Sequence, residues 1–315
     1  MAAAPVSNPG LDLSWLNLDE WGARAEPGKR GLTLDDLITY GDAPIDANPA
    51  AKIGMRGAAP DARSPRHRNQ YRTKADVWSD SARLLYEEAM QRQWSSAVDI
   101  PWEEVKPLSD DLEMAMCTLC TFLTQVEFIA GDLPGRFMGT VHPEQFETQL
   151  FLGSQLMDEA RHEDVFRKRA LVNGGGLVDA GFGASNVLTA DDFTEMTARL
   201  HLIGEGFVQT IFRMGELIST NEAEKRIYRL AAQDESRHLA FGVTHLKYLM
   251  DVEPARAEEL HHYLDIQEGA DIVMPVAVNA RQLITVTSFD VDDAQAGPLF
   301  AQGVVTGWNS TIIAS

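Results

Sequence analysis

Two pentapeptides, DEARH at positions 158–162 and DESRH at positions 234–238, decide how this chain is read. Each contains Glu-x-x-His, and residues three apart on a helix project from one face. Glu159 with His162, and Glu235 with His238, are each placed to grip one metal region. A single Glu-x-x-His is common surface decoration. Here each copy also has a lone glutamate upstream in an apolar helix. Glu127 lies in FLTQVEFIAG, 32 positions before Glu159 (159 − 127), and Glu205 lies in LHLIGEGFVQ, 30 positions before Glu235 (235 − 205). Both gaps suit two antiparallel helices joined by a loop. The pattern is a tandem pair of helical hairpins, each giving one Glu and one Glu-x-x-His. Four glutamates and two histidines on four helices are the ligand set of dimetal carboxylate bundles.

Carboxylates and imidazoles without thiolate point to iron or manganese, whereas closed zinc sites favour cysteine and histidine. Four carboxylates balance two divalent cations, and an ionised glutamate in an apolar stripe is otherwise very costly to bury. Asp158 and Asp234 precede the ligand glutamates, where a carboxylate can accept the second ring N–H of a ligating histidine and fix its tautomer. Arg161 and Arg237 are placed to pair with these aspartates.

The surrounding pattern predicts an all-α chain. Helices are expected over 76–94, 110–133 (Ser109 or Asp110 as N-cap), 143–172 (stopped by the glycines at 174–176), 190–219 (entered through TADD), 221–250 (from an Asn cap) and 254–286 (kinked at Pro275). Residues 1–75, rich in Pro, Gly and Ala, read as a partly irregular N-terminal extension, 76–290 as the helical dimetal domain and 291–315 as a C-terminal tail. Within the extension, residues 56–74 hold Arg56, Arg63, Arg66, Arg68, Arg72 and Lys74 against Asp61 alone. This basic stretch is either a solvated linker or a docking patch for an acidic electron-transfer or carrier protein.

The chain carries 27 basic and 47 acidic residues, a formal charge of −20, which disfavours nucleic acid as a partner. Cys117 and Cys120 are too few for a disulfide framework and read as small core residues. No basic start followed by an apolar run opens the sequence, and no stretch reads as a membrane span of about 18–20 apolar residues. The expectation is a cytoplasmic protein, and a homodimer.

With these residues in place, the chain resembles the ferritin-like superfamily. Within it, the likeness is to the proteins similar to ribonucleotide-reductase small subunits, above all the ligand-binding oxidases. LSDDLEMAMCTLCTFLTQVE, DEARHEDVF, IGEGF and DESRHLAFG carry it, over roughly residues 76–290. The doubled pattern is also similar to the arylamine N-oxygenases. The resemblance implies a ferritin-like four-helix bundle with additional helices, holding an Fe/Fe or Mn/Fe pair that reacts with O2. Departures narrow it. Phe166 stands where reductase subunits carry a radical tyrosine. Ala130 and Leu200 replace the valine and tyrosine that the ligand-binding oxidases cross-link. Ala231 replaces the extra histidine ligand of the N-oxygenases, leaving His201 as the spare imidazole nearby.

Small residues crowd the predicted centre: Ala130 and Gly131 follow Glu127, and Gly204 and Gly206 flank Glu205. They signal a substrate cavity, a shifting carboxylate or a π-bulge on one side, and close helix packing on the other. Gln209 is placed to offer that cavity a polar group, and Phe166, Phe207, Phe212 and Phe241 to wall it. The expected function is an O2-activating dimetal oxygenase or oxidase acting on a small or lipid-like organic substrate by hydroxylation, desaturation or N-oxygenation. The alternatives are a ribonucleotide-reductase-type radical subunit, a ferroxidase or iron-handling protein, and a non-enzymatic scaffold.

Overall fold

Helix α3 (Asp110–Met138) and helix α4 (Phe146–Val172) form the first long hairpin of the chain, described here from a computed structural model. The structure describes residues 25–40, 42–48, 56, 63, 71–179, 185–268, 274–279 and 282–286. Two shorter helices, α1 (Lys74–Val77) and α2 (Ala82–Gln91), precede the hairpin. The second hairpin begins with α5 (Phe193–Met196), runs without interruption through a π-helix (Thr197–Gly204) into α6 (Glu205–Ile218), and returns as α7 (Glu222–Val252). Helix α8 (Ala257–Glu268) lies against the π-helix.

The helix ends follow from their residues. Ser109 holds the N-cap position of α3 without a side-chain cap bond, and Asp110, Asp111 and Glu113 place negative charge on the first turn. The Asn221 side chain accepts from the Glu224 N–H at 2.9 Å to start α7. Asp192 accepts from the Glu195 N–H at 2.8 Å while Glu195 accepts from the Asp191 N–H at 2.8 Å, a reciprocal cap that opens α5. At the end of α4, Gly174 adopts φ +81, which favours glycine.

Three boundaries differ from the sequence reading. The span 76–94 is two helices, because Trp78 is extended (φ −83, ψ 141) and the following Ser-Asp-Ser offers side-chain partners that compete with the helix: the Trp78 indole donates to Asp80 at 2.7 Å. Helix α3 passes through Pro134 to Met138, losing one N–H donor but not its path. The span 254–286 is not one helix. It holds α8 and then two antiparallel strands, β1 (Met274–Asn279) and β2 (Gln282–Val286), with Met274 opposite Val286. Pro275 has no N–H to give a helix, and the β-branched run around it suits strands. The bundle that carries the site remains all-helical. The 291–315 tail and most of the 1–75 extension, including the bulk of the basic stretch, lie outside the described residues. Within that stretch Arg56 pairs with buried Glu147 and with the Glu144 carbonyl, so it is committed to the start of α4.

Two apolar layers close the bundle above and below its centre. One gathers Trp94, Leu123, Val165, Phe166, Phe212 and Tyr228; the other gathers Leu133, Phe151, Phe193, Met196, Leu200 and Phe241. Cys117 and Cys120 are buried, unpaired core thiols. Helix α3 is long and apolar enough to cross a membrane by length and composition, contrary to the sequence reading, but 61% of its apolar stretch is buried in the bundle and Glu127 sits in its middle.

Close approach of the π-helix to α7 depends on Gly242, where an added Cβ meets the His201 Cβ at 2.6 Å. Gly242→Ala is expected to destabilise by about 1–3 kcal/mol through this clash. Gly135→Ala, whose Cβ meets only the tip of Leu156 at 3.4 Å, is expected to be neutral or to gain up to about 1 kcal/mol of helix propensity. Denaturant unfolding of the two variants checks the contrast.

Candidate metal centre

The six residues singled out in the two hairpins meet between the apolar layers. Glu127 comes from α3, Glu159 and His162 from α4, Glu205 from the first turn of α6, and Glu235 and His238 from α7; all are at most 1% exposed. Their ligand atoms form two overlapping sets, each within 4.8 Å of one another: Glu127, Glu159, His162 and Glu235, and then Glu159, Glu205, Glu235 and His238. Glu159 and Glu235 belong to both. The arrangement has an approximate two-fold relation. His162 Nδ1 lies 3.3 Å from Glu159 and 3.0 Å from Glu235, and His238 Nδ1 lies 3.0 Å from Glu159 and 2.8 Å from Glu235.

The second ring nitrogens are held by the opposite hairpin. His162 Nε2 donates to Asp234 at 3.2 Å, and His238 Nε2 donates to Asp158 at 3.3 Å. Each histidine thus borrows its partner from the other Glu-x-x-His word, and both Nδ1 atoms are left facing the carboxylates. The aspartates are neutralised in turn. Arg237 donates to Asp158 at 2.8 Å and to Asp234 at 2.6 Å, and Arg161 pairs with Asp158 and, at 3.2 Å, with Asp234. The second-layer quartet expected from sequence is therefore assembled, as a crossed network. Trp94, which sequence reasoning missed, completes it: its indole donates to Asp234 at 2.7 Å, and its ring stacks on His162 with centroids 6.3 Å apart. No spacing rule connects a residue in the preceding loop to this site.

The centre contains more negative charge than the protein balances. Asp158 and Asp234 are matched by Arg161 and Arg237, whereas among the described residues only the two imidazoles pair with the four glutamates. Glu127 Oε1 is buried without a hydrogen-bond partner among the described residues, and Glu159 Oε2 and Glu235 Oε1 meet only His162 Nδ1, at 3.3 and 3.0 Å and off hydrogen-bond geometry. The proton affinities record the same imbalance. Burial, aided by the charges of neighbouring glutamates, pushes Glu127 and Glu205 well above the usual carboxylate range. Burial also opposes charging of His162 and His238, yet the glutamates around them hold both well above the ordinary imidazole value. Burial works against ionised Glu159 as well, and there the charge of His238 and bonds from both histidines win, holding it low. An all-oxygen-and-nitrogen donor set with unpartnered carboxylate oxygens and both Nδ1 atoms turned inward fits two cations.

The outer residues divide. Gly131 and Ala130 are packing residues: a Cβ on Gly131 meets the Glu159 Cβ at 3.4 Å, so its smallness brings α3 close to α4. Gly204 ends the π-helix, one of the possibilities raised by its sequence. Phe166 stacks on Phe212 at 5.2 Å and, with Phe212 edge-on to His162, shields one side of the centre, while Phe151 lies edge-on to His238 on the other. Gln209 does not point inward; it donates to Ser236 at 2.6 Å. His201 is not among the clustered ligands. It contacts Gln155 at 2.9 Å, and Gln155 donates to Glu205 at 3.2 Å. Gln155 was also missed, although its position four residues before Glu159 places it on the ligand face. A separate open cavity of about 380 Å³ lies outside the α3–α4 pair, lined by Thr121, Thr124, Gln125, Phe128, Glu163 and Arg167 among others.

The chain resembles the R2-like ligand-binding oxidases. One such structure, a single-residue variant with an aerobically reconstituted Mn/Fe cofactor, is 21% identical, with a TM-score of 0.49 over 58% of this chain and 78% of that one. Another variant, with an anaerobically reconstituted Mn/Fe cofactor, is 22% identical, with a TM-score of 0.48 over 58% and 74%. No family model and no curated protein matches the chain.

The raised affinities give a pH signature. Without metal, folded Glu127, Glu205, His162 and His238 hold protons that the unfolded chain has released above about pH 6.5, so the stability they provide is lost as pH rises through their folded values. Below that pH, neutral His201 and His245, depressed by burial to about 3 and about 4, act in the opposite sense. The thermal midpoint of chelator-treated protein is expected to fall as pH rises above about 6.5, the unfolded imidazole value, and saturating divalent metal, which displaces those protons, is expected to remove the slope. Thermal unfolding across this range with and without metal checks it.

Proposed function

We propose that this protein is a dimetal oxidoreductase, an oxygenase or oxidase that uses two redox-active cations, Fe/Fe or Mn/Fe, to reduce O2 and oxidise an organic substrate. The observation that carries the reading is the pair of overlapping ligand sets sharing Glu159 and Glu235. Two cations held by these residues would supply paired one-electron chemistry at O2 that no side chain here provides. The absence of thiolate from the clustered donors argues against a closed zinc site.

The chain's own residues supply the rest. Glu127 and Glu205 are terminal carboxylates, one to each set. His162 and His238 are oriented by Asp234 and Asp158, so that their Nδ1 atoms face the glutamates and would be offered to the cations. Such outer partners commonly contribute 10–100-fold to metal affinity or activity. Phe166, Phe212, Phe151 and Phe241 exclude water from the centre. Phe166 itself cannot store a radical, which disfavours the reductase-subunit alternative. The substrate reading, a small or lipid-like molecule, and a protein electron donor remain parts of the same proposal.

Anaerobic titration with Fe(II), with and without Mn(II), is expected to load about two metals per chain, and O2 is then expected to produce a new optical band. Glu235→Gln, which touches both sets, is expected to abolish stoichiometric loading, whereas Asp234→Asn is expected to retain the fold and weaken binding by roughly 10–100-fold. Loading of one metal or none, or optical silence after O2, contradicts the proposal.

A further inference from the structure

Behind Glu205, where the π-helix meets α7, three buried polar atoms lack a hydrogen-bond partner among the described residues: Thr197 Oγ1, His201 Nδ1 and His245 Nε2. All three residues are fully buried. They sit on the two sides of one helix contact, Thr197 and His201 on the π-helix and His245 on α7. The His201 backbone and Cβ pack on Gly242, and the Phe193 ring packs edge-on to His245 with centroids 5.3 Å apart. Thr197 lies four residues from both Phe193 and His201, the two residues of this segment that pack against Gly242 and His245 of α7.

The polarity of each neighbouring bond can be assigned from its fixed end. At the inner end, Gln155 Nε2 faces two carboxylates, Glu205 at 3.2 Å and Glu159 at 3.5 Å, so Gln155 Oε1 is the acceptor of the 2.9 Å bond from His201. His201 Nε2 therefore carries the proton, and Nδ1 is a bare lone pair. At the outer end, the Trp78 carbonyl can only accept, so His245 Nδ1 donates to it at 2.8 Å and Nε2 is a second bare lone pair. Thr197 contributes a hydroxyl. Neither lone pair can satisfy the other, and one threonine proton cannot satisfy both. A water molecule can: it donates one O–H to each imidazole and accepts from Thr197. Burial keeps both imidazoles neutral, consistent with this assignment.

We propose that Thr197, His201 and His245 enclose a single internal water, and that the line water–His201–Gln155–Glu205 is a built hydrogen-bond wire that orients Glu205 from behind. Three polar partners and full burial are what an ordered internal water ordinarily has. In this arrangement His201 is a positioning residue rather than a ligand, and the π-helix is the device that brings Thr197 and His201 onto one face toward α7. The water site stands on hydrogen bonding alone; only the wire's effect on metal rests on the proposed role of Glu205.

Two measurements on the full chain test the site. A high-resolution crystal structure is expected to show one water within about 2.7–3.2 Å of all three atoms. Nitrogen-15 NMR of histidine-labelled protein is expected to show His201 as the Nε2–H tautomer and His245 as the Nδ1–H tautomer. An empty site, direct pairing of the three atoms, or the opposite tautomer at either histidine overturns the proposal. Thr197→Val is expected to leave His201 in a mixture of tautomers and to weaken one of the two metal equivalents by roughly ten-fold while sparing the other. A change in neither contradicts the wire. If no metal binds to the unmodified protein, the functional proposal fails while the crystal and NMR results still judge the water.

Discussion

The crossed pairing of each histidine with the other hairpin's aspartate is the constraint on which the rest of the structure depends. His162 is held by Asp234 and His238 by Asp158, and Arg161 and Arg237 each touch both aspartates. This network joins α4 to α7 through buried charge, between the apolar contacts of Phe151 with Phe241 and of Phe166 with Tyr228. A buried ion pair is costly to assemble and more costly to leave half-made, so removing one member strands the others. The fold accordingly tolerates little freedom in the register of the two hairpins. A shift of one residue along either helix would break all four pairings together.

The same network explains how four glutamates come to be buried at the centre. With the aspartates already neutralised, the two imidazoles are free to turn their Nδ1 atoms inward, where they face Glu127, Glu159, Glu205 and Glu235. Without metal, protons held on Glu127, Glu205 and the two imidazoles offset that charge, and Glu127 Oε1 still lacks a partner among the described residues. Divalent cations match the charge, the donor types and the sharing of Glu159 and Glu235. The apolar layers on either side then have a chemical consequence. They keep the centre in a medium of low dielectric, where its electrostatics are stronger than in water and reactive species are protected from it.

The chemistry was legible in the sequence wherever it was written as repetition. DEARH and DESRH carry ligand, partner and counter-charge in five residues each, and the upstream glutamates follow from hairpin spacing. The helix caps at Asn221 and Asp192 were legible for the same local reason. What was not legible depends on contacts between distant segments or on a backbone deviation. Trp94 reaches Asp234 from a loop 140 residues away. Gln209 shares the Glu205 face but spends its amide on Ser236 of α7, a contact between helices that spacing within one helix does not report. The helix expected over 254–286 failed because periodicity alone did not weigh Pro275 against the β-branched residues around it. The glycines near Glu127 and Glu205 were ambiguous in sequence, and the contact of Gly131 with Glu159 assigns that one to packing.

The most direct test of a shared two-cation centre is anomalous X-ray scattering from crystals loaded with Fe(II) and Mn(II), collected at both metal edges. The account predicts two anomalous peaks per chain, each coordinated by its own histidine and terminal glutamate and both bridged by Glu159 and Glu235. A single peak, or two peaks that do not share these carboxylates, would contradict it.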